Sequence, residues 1–346
     1  MKLTRTKLLA ACLAVTVTVV ANHDGLTLST PKDAGPVVRS LADGRSGDIR
    51  FVSYGPTRNA IARGGFRQRP VALHGTLDLP RGSARPVPAA ILVHGSDGLS
   101  ARQHRQAKAL NARGIATFVL DSFGPRGVAT TIGRQDAVPA HVMVVDLFVA
   151  LELLASHPRI DPTRIAVIGW SKGGVAADWA SREWYRSRLV ARDVRFAAHV
   201  AFYAWCGEQE ARIELTGAPI LYLSGELDDW AGTEPCVGYA RRARRAGYDA
   251  RVVVYPGAHH GFDYRGSFHR YLPEARSWSD CVYLARDTGF VEQATGVFAP
   301  WPDLPRYLSR CSRTGAHVAS NAGARTQAAR ALNEFLSEFL ETRPRV

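Results

Sequence analysis

The stretch RIAVIGWSKGGVAADWA, Arg164 to Ala180, opens as an apolar run, turns through glycine and closes on small helix-forming residues. A strand that passes straight into a helix has no loop over which to spread its turn. The residue at the corner is therefore forced into a backbone conformation that side chains rarely adopt. Here that residue is Ser171, with Gly169 two positions before it and Gly173 two after. In a G-x-S-x-G corner the glycines stand where a side chain would meet the neighbouring strand or helix, and the serine hydroxyl is lifted clear at the positive end of a helix dipole. Gly174, Val175, Ala176 and Ala177 then supply the small residues that close helix packing needs. The stretch predicts a buried strand, a strained elbow and an exposed nucleophile.

Outward from the elbow, strand-like and helix-like patches alternate. IRFVSYG and VALHGTLDLP read as two early strands that can pair as a hairpin, and VPAAILVHG is a near-continuous apolar run of the kind buried on both faces of a sheet. SARQHRQAKALNARG is an amphipathic helix ending at Gly114. IATFVLDSF, FAAHVAFYAW, APILYLSG and RVVVYPG are further strands, and HVMVVDLFVALELLASH, PCVGYARRARRAG and ARTQAARALNEFLSEFL are helices. Such alternation predicts an α/β fold: a doubly wound, mostly parallel sheet with helices on both faces. In such a sheet ligand chemistry gathers at the carboxyl ends of the strands, where Ser171 stands.

The chain has 346 residues, 46% hydrophobic and 22% charged, which suits a large folded core and excludes disordered or collagen-like structure. The formal charge is +13, yet the lysines are few (Lys2, Lys7, Lys32, Lys108 and Lys172) and the arginines are scattered. No basic and aromatic module for nucleic acid is present, so the charge reads as a basic surface. Residues 1–21 have a basic start (Lys2, Arg5, Lys7) and an apolar stretch from Leu8 to Ala21, the proportions of an export signal cleaved after Ala21, with Val19 and Ala21 as the small residues before the cut. The stretch is short for a membrane span, and a retained anchor is the weaker alternative. LAAC, ending at Cys12, imitates a lipoprotein box but comes too early. Residues 22–46, polar with proline and glycine, read as a loose leader, and 47–346 as one domain.

A serine hydroxyl needs a base, and the base an orienting acid. APILYLSG runs into Glu226, Leu227, Asp228 and Asp229, and RVVVYPG runs into Ala258, His259, His260, Gly261 and Phe262. Both sets lie just past strand ends, on the edge that carries the elbow. Asp228, three residues beyond Gly225, is the expected acid, with Asp229 and Glu226 as rivals. His260 is the expected base, with His259 as rival. Adjacent histidines point apart and do not resemble a metal pair. Acyl transfer also needs donors for an oxyanion. The backbone N–H of Lys172, at the helix start, and that of Ser96, in the loop HGSDGLS, are the expected pair, while His94 reads as structural and Asp97 as a loop carboxylate.

ILVHGSDGLS, VLDSFGPRG, IAVIGWSKGG, LSGELDDW and YPGAHHGFD, in that order, resemble the dienelactone hydrolase family of the α/β-hydrolase superfamily, over roughly Val87 to Phe262. The resemblance implies Ser171, Asp228 and His260 as the catalytic triad. The enzyme that names the family uses cysteine where this chain has Ser171, so the resemblance implies an exported, serine-using branch and does not carry dienelactone over as substrate. Residues 263–315 depart from the family pattern as an aromatic- and arginine-bearing insertion that could cap the site.

Past the leader lie Cys206, Cys236, Cys281 and Cys311, an even number that suits disulfides in an oxidising compartment. Sheet order would set the strand ending near Trp205 beside that ending near Gly225, so a Cys206–Cys236 bridge could clip the acid loop. Cys281–Cys311 would staple the insertion to itself. Trp170, Trp205 and Trp230 are candidate pocket aromatics, and Arg126 either a holder of a substrate carboxylate or a structural arginine. The expected activity is cleavage of a small carboxylic ester or lactone through an acyl-enzyme, with no metal or organic cofactor and no nucleic-acid partner. A peptidase or amidase, or a binding protein on a hydrolase scaffold, are the competing readings, and the sequence assigns no oligomeric state.

Overall fold

The computed structural model of the chain describes residues 36–82, 85–190 and 193–340. Its strands are β1 (Val37–Val38), β2 (Gly47–Tyr54), β3 (Pro70–Asp78), β4 (Val87–Val93), β5 (Ala116–Asp121), β6 (Ile160–Trp170), β7 (Ala198–Phe202), β8 (Glu208–Glu210), β9 (Ile220–Gly225), β10 (Ala250–Tyr255), β11 (His269–Ser277), β12 (Tyr283–Ala285), β13 (Gly289–Glu292), β14 (Phe298–Pro300) and β15 (Arg313–Ala319). The helices are α1 (Arg58–Ala62), α2 (Ala101–Asn111), α3 (Ala140–Ala155), α4 (Lys172–Trp179), α5 (Glu183–Leu189), α6 (Glu234–Arg245), α7 (Leu304–Cys311) and α8 (Ala322–Leu340).

Nine strands form one sheet in the order β1-β2-β3-β5-β4-β6-β7-β9-β10. From β5 to β10 all neighbours are parallel, while β3 runs antiparallel to both β2 and β5. The continuous apolar runs are explained by the pleat. On β4, Ala89, Ile91 and Val93 face one core, with α3, α4 and α6, while Ala90 and Leu92 face the other, with α2 and α8. A strand covered by helices on both sides has no polar face to offer. The amphipathic helices follow from their stripes: α8 buries Ala324, Ala328, Leu332, Phe335, Leu336 and Leu340, and α2 starts at Ser100, which forms a capping box with Gln103.

The early strands pair as expected, although α1 lies between them. The loose leader ends sooner than expected. Val37 and Val38 pair with β2, and Leu41 is fully buried, its N–H donating to Ser156 Oγ at 2.7 Å. An apolar side chain that finds a slot beside the end of α3 orders the chain around it. The expected signal, residues 1–21, lies outside the described residues. Among the described residues, no helix is long and apolar enough to cross a membrane.

The insertion is not loop. β11 and β15 form a separate antiparallel pair, and β12, β13 and β14 form a small sheet with β8. β15 carries this region to Ala319, past the expected end at 315. Cys206 and Cys236 lie at disulfide distance, as do Cys281 and Cys311, each pair 30 residues apart.

Beneath the small sheet lies a buried ionic network. Arg182, 2% exposed, pairs with Asp178 at 2.8 Å, with Glu208 at 3.5 Å and with Glu210 at 3.4 Å. Tyr222 donates to Asp178, and Tyr239 to Glu210 at 2.7 Å. Arg58 pairs with Glu208 at 2.6 Å, and Tyr283 of β12 donates to the same carboxylate at 2.7 Å. Asp178 and Glu210 depend on Arg182, while Glu208 shares it with Arg58, so removing Arg182 strands buried carboxylates without solvent. Arg182→Met is expected to lower the unfolding free energy by about 3–5 kcal/mol, read from urea unfolding. A loss under about 1 kcal/mol would show that the network carries little stability.

Candidate active site

At the corner between β6 and α4, Ser171 adopts φ +52° and ψ −117°, a left-handed conformation that no loop relieves. The flanking glycines are dictated by contact. A Cβ on Gly169 would lie 2.0 Å from the Gly173 carbonyl oxygen, one on Gly173 would lie 2.4 Å from that of His94, and one on Gly174 would lie 2.8 Å from that of Phe202. The corner is pinned from the next strand, because Ser171 N–H donates to Phe202 O at 2.9 Å.

His260 Nε2 stands 2.9 Å from Ser171 Oγ, and His260 Nδ1 stands 2.9 Å from Asp228 Oδ2. With the proton on Nδ1 donated to the carboxylate, Nε2 is left as the acceptor for the serine hydroxyl. The second Asp228 oxygen accepts from the N–H groups of Trp230 at 3.0 Å and Ala231 at 2.9 Å, which fixes the carboxylate plane. Gly225 lets the two loops meet: a Cβ there would lie 2.4 Å from Ala258 O. The rings of Tyr203 and Trp230 each sit 4.7 Å from that of His260 and flank the imidazole. From the insertion, Ala319 N–H donates to His260 O at 3.2 Å.

The rival side chains are engaged elsewhere. Asp229 accepts from His317 Nδ1 at 2.6 Å and from its N–H at 2.9 Å. Glu226 accepts from Gly257 N–H at 2.8 Å, and the His259 ring lies tilted against those of His269 and His317. Among the described residues, no group of three His, Cys, Asp or Glu side chains is arranged to hold a metal ion.

Gly95 and Ser96 border the serine: the position of a Gly95 Cβ is 3.1 Å from Ser171 Cβ. The N–H of Lys172, in the first turn of α4, has no intrahelical acceptor. The Lys172 side chain turns the other way. Its Nζ donates to Thr131 Oγ1 at 2.9 Å, Gln135 O at 2.7 Å and Val138 O at 3.0 Å. Ser96 is tied to the same loop, donating to Gln135 Oε1 at 3.1 Å and accepting from Thr131 N–H at 2.8 Å. One lysine thus joins the elbow to the loop that braces Ser96. His94 is structural, as expected: it is fully buried, Nδ1 donates to Gly95 O at 2.9 Å and Nε2 accepts from Ser122 N–H at 3.2 Å.

Over the serine lies a cavity of about 70 Å³. Ile132, Leu272 and Val318 give it an apolar side, and Trp230 and Tyr203 flank the imidazole. Its polar end is Asp97, Arg102 and Tyr264. Of the expected pocket residues only Trp230 lines it. Trp170 is 1% exposed, stacks on Phe202 and donates Nε1 to Asp263 at 2.8 Å. The alternating pleat sends it to the α8 side of the sheet. Trp205 packs on Trp278 and Tyr283 beneath the insertion and donates to Trp278 O at 2.8 Å. Arg126 is held by fully buried Asp146 at 2.7 and 2.8 Å, and also donates to Ser122 O at 2.7 Å. Its guanidinium is consumed there, which corrects the substrate-holding reading and leaves the structural one.

The residues missed from sequence were Arg102, Tyr203, Tyr264, Ile132, Leu272 and Val318. Tyr264, four beyond His260, was close enough in sequence to be found. Leu272 and Val318 meet only through the pairing of β11 with β15.

The sheet order, the elbow at the end of β6 and the acid and histidine past β9 and β10 define an α/β-hydrolase. The dienelactone hydrolase family model matches residues 73–287, and the chain belongs to the dienelactone hydrolase family. It is a carboxylic ester hydrolase. Among solved structures, a dienelactone hydrolase-like promiscuous phosphotriesterase from metagenomic libraries superposes with a TM-score of 0.51 at 17% identity, covering 86% of this chain and 99% of its own. A thermophilic esterase from Thermogutta terrifontis gives a TM-score of 0.46 at 19% identity, covering 57% of this chain and 82% of its own. None of the curated proteins matches the sequence.

Burial lowers the Lys172 ammonium from its usual 10.5 to about 7, against the opposing pull of Asp136. The native chain therefore holds this proton less tightly than the unfolded chain, and between those two values stability from this group rises with pH. The unfolding free energy of the wild type relative to Lys172→Met is expected to increase from neutral pH to about pH 9. A flat or falling difference would show that the amine is not desolvated.

Proposed function

We propose that the protein hydrolyses small carboxylic esters or lactones through a Ser171-His260-Asp228 triad and an acyl-enzyme. The observation that carries this reading is the unbroken hydrogen-bonded line from Ser171 Oγ through both His260 nitrogens to Asp228, 2.9 Å at each step. His260 takes the hydroxyl proton as Ser171 attacks the carbonyl carbon. Asp228 holds the imidazole in the accepting tautomer and stabilises the imidazolium that forms. The N–H groups of Ser96 and Lys172 receive the oxyanion, each worth about 3–4 kcal/mol in the transition state. The imidazolium then returns its proton to the leaving alkoxide. Water, deprotonated by the same histidine, attacks the acyl carbon and releases the acid and Ser171. The cavity of about 70 Å³ suits short acyl groups, far below the roughly 300 Å³ at which drug-sized sites begin.

Export belongs to the same proposal, with a signal cleaved after Ala21. Two cysteine pairs at disulfide distance suit an oxidising compartment. N-terminal sequencing of the exported protein checks the cut.

A fluorophosphonate is expected to label Ser171 in the folded protein, as found by peptide mapping, and para-nitrophenyl acetate to be cleaved far faster than the corresponding anilide. Ser171→Ala should abolish both labelling and turnover, and Asp228→Asn should lower kcat by about 10⁴-fold with the fold retained. Folded wild-type protein that neither labels nor turns over esters would leave a binding protein on this scaffold.

A further inference from the structure

We propose that the acyl pocket selects uncharged esters and rejects those whose acyl group carries a carboxylate. The inference rests on the hydrolase reading above and deepens it by naming the substrate class.

Arg102 is the only lysine or arginine lining the cavity among the described residues, and both its terminal nitrogens are already paired. Its guanidinium lies 3.1 Å from Asp97 and 3.4 Å from Asp263, and donates to Tyr203 OH at 2.7 Å. Tyr264 covers it, with the guanidinium carbon 4.3 Å from the ring centroid. Asp263 in turn accepts from Tyr203 OH at 2.7 Å and from Trp170 at 2.8 Å. Two carboxylates surround one cation, so the cluster is negative by one charge. Burial alone does not release Arg102, whose side chain is 6% exposed.

Of the two carboxylates, Asp97 is the one that lines the cavity, with its side chain 28% exposed. One oxygen accepts from Tyr264 and Arg102. The other lies 2.9 Å from the position of a Gly95 Cβ, the same position that is 3.1 Å from Ser171 Cβ. A carboxylate therefore stands beside the nucleophile on the wall an acyl group must pass. A second carboxylate brought there with the substrate would be desolvated against a like charge. Cations outside the cavity lining are engaged elsewhere, Arg325 with the Tyr264 carbonyl at 2.8 Å among them. Lys172 Nζ is turned to Thr131, Gln135 and Val138, and Arg126 to Asp146. A net charge of +13 draws anions to the surface as a whole, but the cation that lines the pocket is already outnumbered by carboxylates.

The test compares kcat/KM of the wild-type enzyme for para-nitrophenyl butyrate, mono-para-nitrophenyl succinate and para-nitrophenyl methyl succinate at neutral pH. The second differs from the first in its terminal carboxylate, and the third caps that carboxylate as a neutral ester. Butyrate and methyl succinate are expected within about tenfold of each other, and the free succinate about 100-fold or more below butyrate. Asp97→Asn is expected to narrow the gap between butyrate and free succinate by about tenfold, whatever it does to each rate alone. Free succinate within about threefold of butyrate in the wild type overturns the proposal, with no need of the variant. Turnover of none of the three would instead sink the hydrolase reading, and this inference with it.

Discussion

Ser171 stands at φ +52° because β6 runs into α4 without a loop, and three glycine positions touch carbonyl oxygens of neighbouring backbone. A backbone held there costs about 1–3 kcal/mol, so it persists only where the surroundings over-determine it. Here they do so from both sides. β4 delivers the carbonyls of Val93 and His94 against Gly173, and β7 delivers Phe202, whose carbonyl takes the serine N–H. The residue after Phe202 is strained as well: Tyr203 has φ +37°, and its ring lies against His260. Close packing at the end of one strand thus sets the serine, the ring beside the histidine, and the loop of Gly95 and Ser96 together. The rest of the site is arranged around that crossing.

The acid and the histidine arrive on loops, and loops need restraint. Asp228 is held by two backbone N–H groups, and Thr233 donates to Gly225 O at 2.5 Å at the base of the same loop. Cys236, in α6 just beyond it, meets Cys206, which follows β7. A bridge there adds about 2–4 kcal/mol by the chain-entropy argument. The Arg182 network acts one layer lower, tying α4 through Asp178 to β8 and α6. Replacing such a network with apolar groups of the same shape can be neutral or stabilising, so its presence speaks for register more than for stability. Asp178 comes from α4 and Glu208 and Glu210 from β8, so Arg182 between them gives β8 and the small sheet one seat.

Much of this was legible in the sequence, because turns and close approaches leave local marks. Gly169, Ser171 and Gly173 mark the elbow, Gly225 and Asp228 the acid loop, and the apolar runs of β4 and β6 the doubly covered sheet. The pocket was not legible, because its residues are joined only by tertiary pairing. Arg126 and Arg102 look alike in sequence, one after a strand and one in a helix. What separates them is Asp146, the buried carboxylate of the largely apolar helix α3, which claims Arg126. A charge set between Val145 and Leu147 in the apolar first half of that helix was the available signal that a buried partner exists. Trp170 misled for another reason. It neighbours Ser171 in sequence, but the pleat turns consecutive side chains to opposite faces, and the indole went into the α8 core.

The insertion has a double hold on the site. β11 supplies Leu272 and β15 supplies Val318 to the cavity wall. β15 also reaches the histidine loop directly: Val318 bridges to His260, and the N–H of Ala319 bonds its carbonyl. His317, between Val318 and the rest of the strand, grips Asp229, the neighbour of the acid. The strand that bounds the cavity therefore also fixes the backbone of His260 and abuts the Asp228 loop. A packed strand moves as a unit because its neighbours leave no space for one residue to yield alone. The cavity wall and the hold on the His260 carbonyl thus share one strand, so a displacement of Val318 outward draws on the hydrogen bond that fixes the histidine loop.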